Sequence, residues 1–146
     1  MADFVVYHTA DRMGYSAAAV RGFSLLTNKN VPSVIGSKLW LITGEGTPRV
    51  YYLRGHFTPN RRTRTEESGF MWLVEGPPTS GVKLPRKHWA VLNGRPWFLD
   101  FRRSQGNFAF GLQAIRDERY VRELENALTQ ARAAHPIATV EGFRFE

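Results

Sequence analysis

The chain has 146 residues, 42% hydrophobic and 23% charged, which fits one packed domain over residues 1–146 and excludes a polar, disordered chain. It contains no cysteine, which excludes disulfide frameworks, thiolate zinc sites and cysteine nucleophiles. Its net charge of +7 is localised: eleven of the 20 basic residues but four of the 13 acids lie between Arg49 and Arg103, leaving the rest neutral, and a clustered excess suits a polyanion.

The first ten residues carry an acid where a secretory signal has basic residues, and their apolar run is too short for its hydrophobic region. No stretch approaches the roughly 18 apolar residues of a membrane span, so the expectation is a cytoplasmic protein. Residues 3–8 are β-branched and aromatic and read as a buried first strand. Residues 9–20 turn polar and then small, compatible with a short helix around Ala17-Ala18-Ala19. A second strand is expected at 22–26 and a loop at 28–32. Residues 38–43 and 49–57 are two β-rich runs joined by Gly44-Glu45-Gly46-Thr47-Pro48, a hairpin-like pair. Gly55 inside the second run signals a bulge or a close backbone approach.

Residues 59–69 read as an Arg/Thr-rich surface loop and 70–74 as a strand closed off by Gly76-Pro77-Pro78. Between 83 and 92 both one helical turn after Pro85 and a strand at 89–92 fit the pattern. Asn93-Gly94 marks a tight turn, and strands are expected at 96–101 and 107–112. A helix is predicted from Asp117, its N-cap, to just before His135-Pro136, where proline stops it. Tyr120, Leu124, Ala127, Leu128 and Ala131 form its apolar stripe, and Arg119, Arg122, Glu123 and Glu125 form a solvated, ion-paired face. Residues 137–146 read as an edge strand. These elements predict an α+β fold: a small mixed β-barrel with flanking short helices and one C-terminal amphipathic helix.

His8, His56, His88 and His135 lack metal-ligand spacing, and neither a nucleophile elbow nor a phosphate loop is present. The acids of the basic section, Glu66, Glu67, Glu75 and Asp100, are spread over different elements. The expectation is therefore a binding module with no catalytic residue, no metal and no cofactor. What the section does combine is ring with cation. Trp40, Tyr51, Tyr52, Trp72, Trp89 and Trp97 are interleaved with Arg54, His56, Lys87, His88 and Arg95, the pairing that stacks bases while holding phosphates. Aromatics that alternate along strands also build cores, so each ring is open to either role.

The run Val34-Ile35-Gly36-Ser37-Lys38-Leu39-Trp40-Leu41-Ile42, followed by residues 49–57, resembles the hydrophobic, strand, turn, strand core of PUA-like β-barrels, which include EVE, ASCH, YTH and SRA-type modules. Ser37-Lys38 stands where those families carry Gly-Asp turn chemistry. Tyr7-His8 leading into Met13-Gly14-Tyr15-Ser16 is similar to the way EVE-type modules begin. The resemblance implies a reader that flips a modified base into a pocket beside the barrel, as the sensing part of a modification-dependent restriction system, and a chain that can serve as the N-terminal module of a longer protein.

On that reading the base pocket is Tyr7, His8, Tyr15, Ser16, Trp40, Trp72 and Trp89, since strand ends and the loops after them are where barrels hold ligands. The nucleic-acid backbone is assigned to Arg54, Arg61, Arg62, Arg64, Arg86, Lys87 and Arg95. The expected partner is modified duplex DNA, with no membrane and with the oligomeric state open. Two alternatives stand beside it: an RNA-binding PUA-type domain, and an enzyme using His8 or His56 as a general base.

Overall fold

Strand β3, Leu39–Glu45, has six of its seven residues buried, which requires cover on both faces of the sheet that contains it. The computed structural model describes residues 3–9, 23–66, 69–108 and 111–134, and for residues 8 and 9 it describes the backbone alone. In chain order the strands are β1 Phe4–Thr9, β2 Phe23–Thr27, β3, β4 Val50–Phe57, β5 Arg61–Arg64, β6 Trp72–Gly76, β7 Gly81–Lys83, β8 Ala90–Val91 and β9 Gln113–Ala114. The helices are α1 Phe98–Ser104 and α2 Glu118–Ala134. The main sheet runs β7-β4-β3-β1-β9, with β8 also on β4, and a second sheet runs β2-β6-β5. Strands β1 and β3 are parallel, and the other pairings are antiparallel.

The side-chain alternation of the central strands sorts the core into two layers. Val5, Trp40, Ile42 and Leu53 face Phe98 and Phe101 of α1 and Leu124, Ala127 and Leu128 of α2. Phe4, Val6, Leu39, Leu41 and Phe57 face Phe23, Leu25 and Val74 of the second sheet. The order of layers is thus helices, main sheet, small sheet.

Parity changes within β4. Ile42 pairs with Leu53 but Leu41 pairs with Gly55, so Arg54 is an extra residue opposite the break in register. Before the bulge the odd-numbered Leu53 faces the helices; after it the even-numbered His56 does, and Phe57 turns to the small sheet. Gly55 adopts φ 145°, and a Cβ there would stand 1.9 Å from the Val82 carbonyl oxygen of β7. Both meanings of this glycine, bulge and close approach, are realised together.

Four expectations are corrected. Among the described residues the sheets do not close into a barrel, because the main sheet stays open from β7 to β9. Of the residues expected as a strand at 96–101, the last four open α1: Phe98 and Phe101, three apart, are buried while Leu99 and Asp100 are exposed, a helical spacing. In the expected loop 59–69, residues 61–64 pair with β6 as a short edge strand whose charged side chains suit an edge. In the expected strand at 107–112, Gly106–Phe108 is a 3-10 turn in which Asn107 and Phe108 take positive φ of 55° and 62°. The open choice at 83–92 resolves as both: a 3-10 turn at Arg86–His88, then β8.

Helix α2 starts as expected, with the Arg119 amide donating to Asp117 Oδ1 at 2.9 Å and the Arg119 guanidinium pairing with Oδ2 at 2.7 Å. These bonds hold the Asp117 carboxyl below its usual pKa. Its buried side chains are Leu124, Ala127 and Leu128, the middle of the predicted stripe. The helix proposed within 9–20, the stop at His135-Pro136 and the edge strand at 137–146 lie outside the described residues. Among the described residues no helix is long and apolar enough to cross a membrane.

Candidate nucleic-acid interface

At the carboxyl end of β1 the side chain of Tyr7 points to the helix layer and stays half-buried. Its ring stacks on Phe108 at 5.4 Å and 17° and tilts against Tyr51 of β4 at 5.6 Å. Its hydroxyl accepts a hydrogen bond from Arg49 Nη1 at 3.0 Å and lies directly over Gly44, where a Cβ would approach it to 2.3 Å. Burial raises the pKa of this phenol, with Arg49 pulling it the other way, so Tyr7 is neutral at physiological pH. Tyr51 carries the Arg102 guanidinium at 5.2 Å, and Asn93 fixes the strand beneath it, accepting from the Tyr51 amide at 2.6 Å and donating to the Arg49 carbonyl at 3.3 Å. Neither Arg49 nor Arg102 has a carboxylate partner among the described residues. Arg102 Nε is buried without a hydrogen-bond acceptor there. Phe108, whose ring completes the stack, sits in the left-handed region that a bulky side chain rarely occupies, a strain of about 1–3 kcal/mol.

Other ring-and-cation groups lie elsewhere, two of them built on Trp89 and Trp72, both expected in the pocket. Trp89 packs against Tyr52 at 5.8 Å and carries Arg54 at 4.5 Å and Arg86 at 4.9 Å; Arg86 also pairs with Glu45. On the small sheet, Trp72 carries Arg62 at 4.0 Å and Arg64 at 5.3 Å. Among the described residues no ring contact joins Tyr7, Trp72 and Trp89, so the structure distributes these expected pocket walls over three places.

Trp40 is a core residue, not a pocket wall. It is 0% exposed, packs edge-on to His56 at 4.8 Å, and donates from Nε1 to Asp3 Oδ2 at 2.9 Å. Its position on the most covered strand of a sheet buried on both faces explains the difference. The side chain of His8 and all of Tyr15 and Ser16 lie outside the described residues. Of the expected backbone cations, Arg54 is 7% exposed and turned inward over Trp89, so it is no surface ligand. Arg61 is tied to Glu75 through Nε at 3.1 Å and Nη2 at 2.6 Å. Arg95 holds the Val91 carbonyl at 2.8 Å and Gln130 at 3.0 Å, joining β8 to α2. Arg62, Arg64, Arg86 and Lys87 keep surface positions.

Arg49, Arg102 and Phe108 are not among the residues expected at the site, and Tyr51 is expected only as one of the interleaved rings. Phe108 was hidden by the strand expected at 107–112, and Arg102 by the strand expected at 96–101, which ends one residue before it. Asn93-Gly94 was legible as a turn, but not that its asparagine would brace Tyr51.

His56 lies against Trp40 near Lys38, and burial with the Lys38 charge lowers its pKa from 6.5 to about 4; Arg132 adds to the shift and Glu125 opposes it. A histidine so perturbed is a weak base at neutral pH. Because the folded pKa lies below the unfolded one, the unfolded chain takes up the proton first as pH falls. Stability is expected to be complete above about pH 6.5 and to decline towards pH 4 by at most about 3 kcal/mol. Urea unfolding of the protein and of His56→Gln between those limits checks this: the substitution should flatten the decline, and an unchanged profile would assign it to other groups.

No protein-family model matches the chain, and no curated protein or solved structure matches it significantly.

Proposed function

We propose that this chain is a cytoplasmic nucleic-acid-binding module that takes a modified base of duplex DNA against Tyr7 and Tyr51, serving as the sensing part of a restriction system. The observation that carries the reading is the aromatic pair flanked by Arg49 and Arg102, two guanidiniums without a carboxylate partner among the described residues. Half-buried rings offer a stacking surface for a base drawn out of the duplex, while cations beside them neutralise the phosphate that comes with it. The strained turn at Phe108 supports the same place, since a costly backbone conformation is kept where the fold needs a ring in one position. The PUA-like resemblance of the first half of the chain points to the same class of ligand.

The test is a binding panel of matched duplexes carrying methylcytosine, hydroxymethylcytosine, methyladenine or no modification, with an RNA of the same sequence. One modified duplex is expected to bind at least tenfold more tightly than the unmodified one. Tyr51→Ala should remove most of that preference, since stacking of one base is worth about 1–3 kcal/mol. Equal affinity for every duplex would overturn the modified-base reading, and tighter binding of RNA would replace it with the RNA-binding one.

A further inference from the structure

Strand β5 forms the edge of the small sheet, and its register sets Arg62 opposite Val74 and Arg64 opposite Trp72. Val74 belongs to the core, so by strand alternation Arg62, Arg64 and Trp72 share its face, on which Trp72 stays half-exposed. Arg62 lies over the indole at 4.0 Å and Arg64 at 5.3 Å, and neither has a carboxylate partner among the described residues. Arg62 donates from Nη1 to Asn30 Oδ1 at 2.6 Å, which uses one of its donors and leaves most of the fork available. Arg61 differs: its side chain points to the opposite face and is neutralised by Glu75.

We infer that Arg62 and Arg64, held on Trp72, form a clamp for two consecutive phosphates of one nucleic-acid strand. Two like charges on one ring repel each other, and an anion at each relieves that repulsion. Residues two apart on a strand face are about 6.6 Å apart, close to the separation of neighbouring phosphates along an extended strand. Cation–π contact with the indole restricts where each guanidinium sits, and N–H donors not used within the protein can contact phosphate oxygens. Trp72 is then a positioning residue for cations, not a wall of the base pocket. The inference rests on the nucleic-acid reading above but not on base modification.

The test measures affinity for a short unmodified duplex from about 50 to 200 mM salt, where each phosphate neutralised contributes about −0.9 to the log–log slope. Arg62→Gln with Arg64→Gln is expected to make the slope shallower by about 1.8. Arg61→Gln with Glu75→Gln, which keeps the net charge, should leave it unchanged. Trp72→Leu keeps both cations and should lose affinity without losing slope. If the unaltered protein binds and the Arg62/Arg64 variant retains its slope, the clamp is wrong while the nucleic-acid reading stands. If the unaltered protein binds phosphatidylserine vesicles but no nucleic acid, both readings fall.

Discussion

Replacing Trp40 by alanine is expected to cost the protein about 3–5 kcal/mol, the range for deleting a large aromatic from a core, out of a typical total of about 5–15 kcal/mol. The ring is 0% exposed among Val5, Ile42, Leu53 and Leu84, all buried, and the main sheet and both helices close around it. The loss also strands Asp3, whose carboxylate accepts the Trp40 Nε1 hydrogen bond at 2.9 Å. A fall in Tm on the order of 10 °C follows for a domain of this size. Trp40→Phe should recover more than half of it, because the phenyl ring refills most of the space but cannot donate to Asp3. Whatever folds should bind nucleic acid as the unaltered protein does, since this ring has no exposed surface. A Trp40→Ala protein that melts unchanged yet binds nucleic acid tenfold more weakly would return Trp40 to the pocket.

The strands legible in the sequence were those whose residues carry their own signal. Residues 4–9, 39–45, 50–57 and 72–76 are rich in β-branched and aromatic side chains and are bounded by turns, and α2 shows its stripe at helical spacing. Strand β5 was missed because Arg-Arg-Thr-Arg has no apolar member; it exists only because β6 offers an edge. Helix α1 was missed because Trp97, Phe98, Leu99 and Phe101 are apolar at nearly every position, which erases the difference between periods of 2 and 3.6. Barrel closure was inferred from the number of strands, yet which strands share a sheet depends on pairings that no local pattern encodes.

The candidate site was legible in the same uneven way. Tyr7 stood out because it lies towards the end of the first strand, and its partners did not, because Arg49 precedes β4, Tyr51 lies in β4 and Arg102 lies in α1. The charge count locates the basic section but does not separate Arg61, already neutralised by Glu75, from Arg62 and Arg64, one and three positions on and on the other face. The count also included Arg54, which the bulge turns inward over Trp89.

That bulge sets up the second large effect. Gly55→Ala is expected to abolish stable folding, because two independent demands meet at one Cα. Its φ of 145° lies where an L side chain is strained, and the added Cβ would stand 1.9 Å from the Val82 carbonyl oxygen and 2.9 Å from its carbon. Both neighbours are backbone of β7, so no side chain can rotate away, and relief requires β7 to separate from β4, with which it pairs through Gly55, His56 and Phe57. Alternatively the register of β4 shifts and the bulge is lost, which moves Phe57 out of the small-sheet core and His56 away from Trp40. Either route forfeits several buried contacts at about 1.5–3 kcal/mol for each large apolar side chain, enough to exhaust the stability of a domain this size. Gly94→Ala is the matched control: it has a positive φ of 81° as well, but nothing among the described residues lies within 4 Å of its Cβ position, so only the conformational cost of about 1–2 kcal/mol applies. Circular dichroism and soluble yield of the two variants decide the matter. A Gly55→Ala protein as soluble and as stable as Gly94→Ala would mean that the close approach of β7 to β4 does not exist in solution.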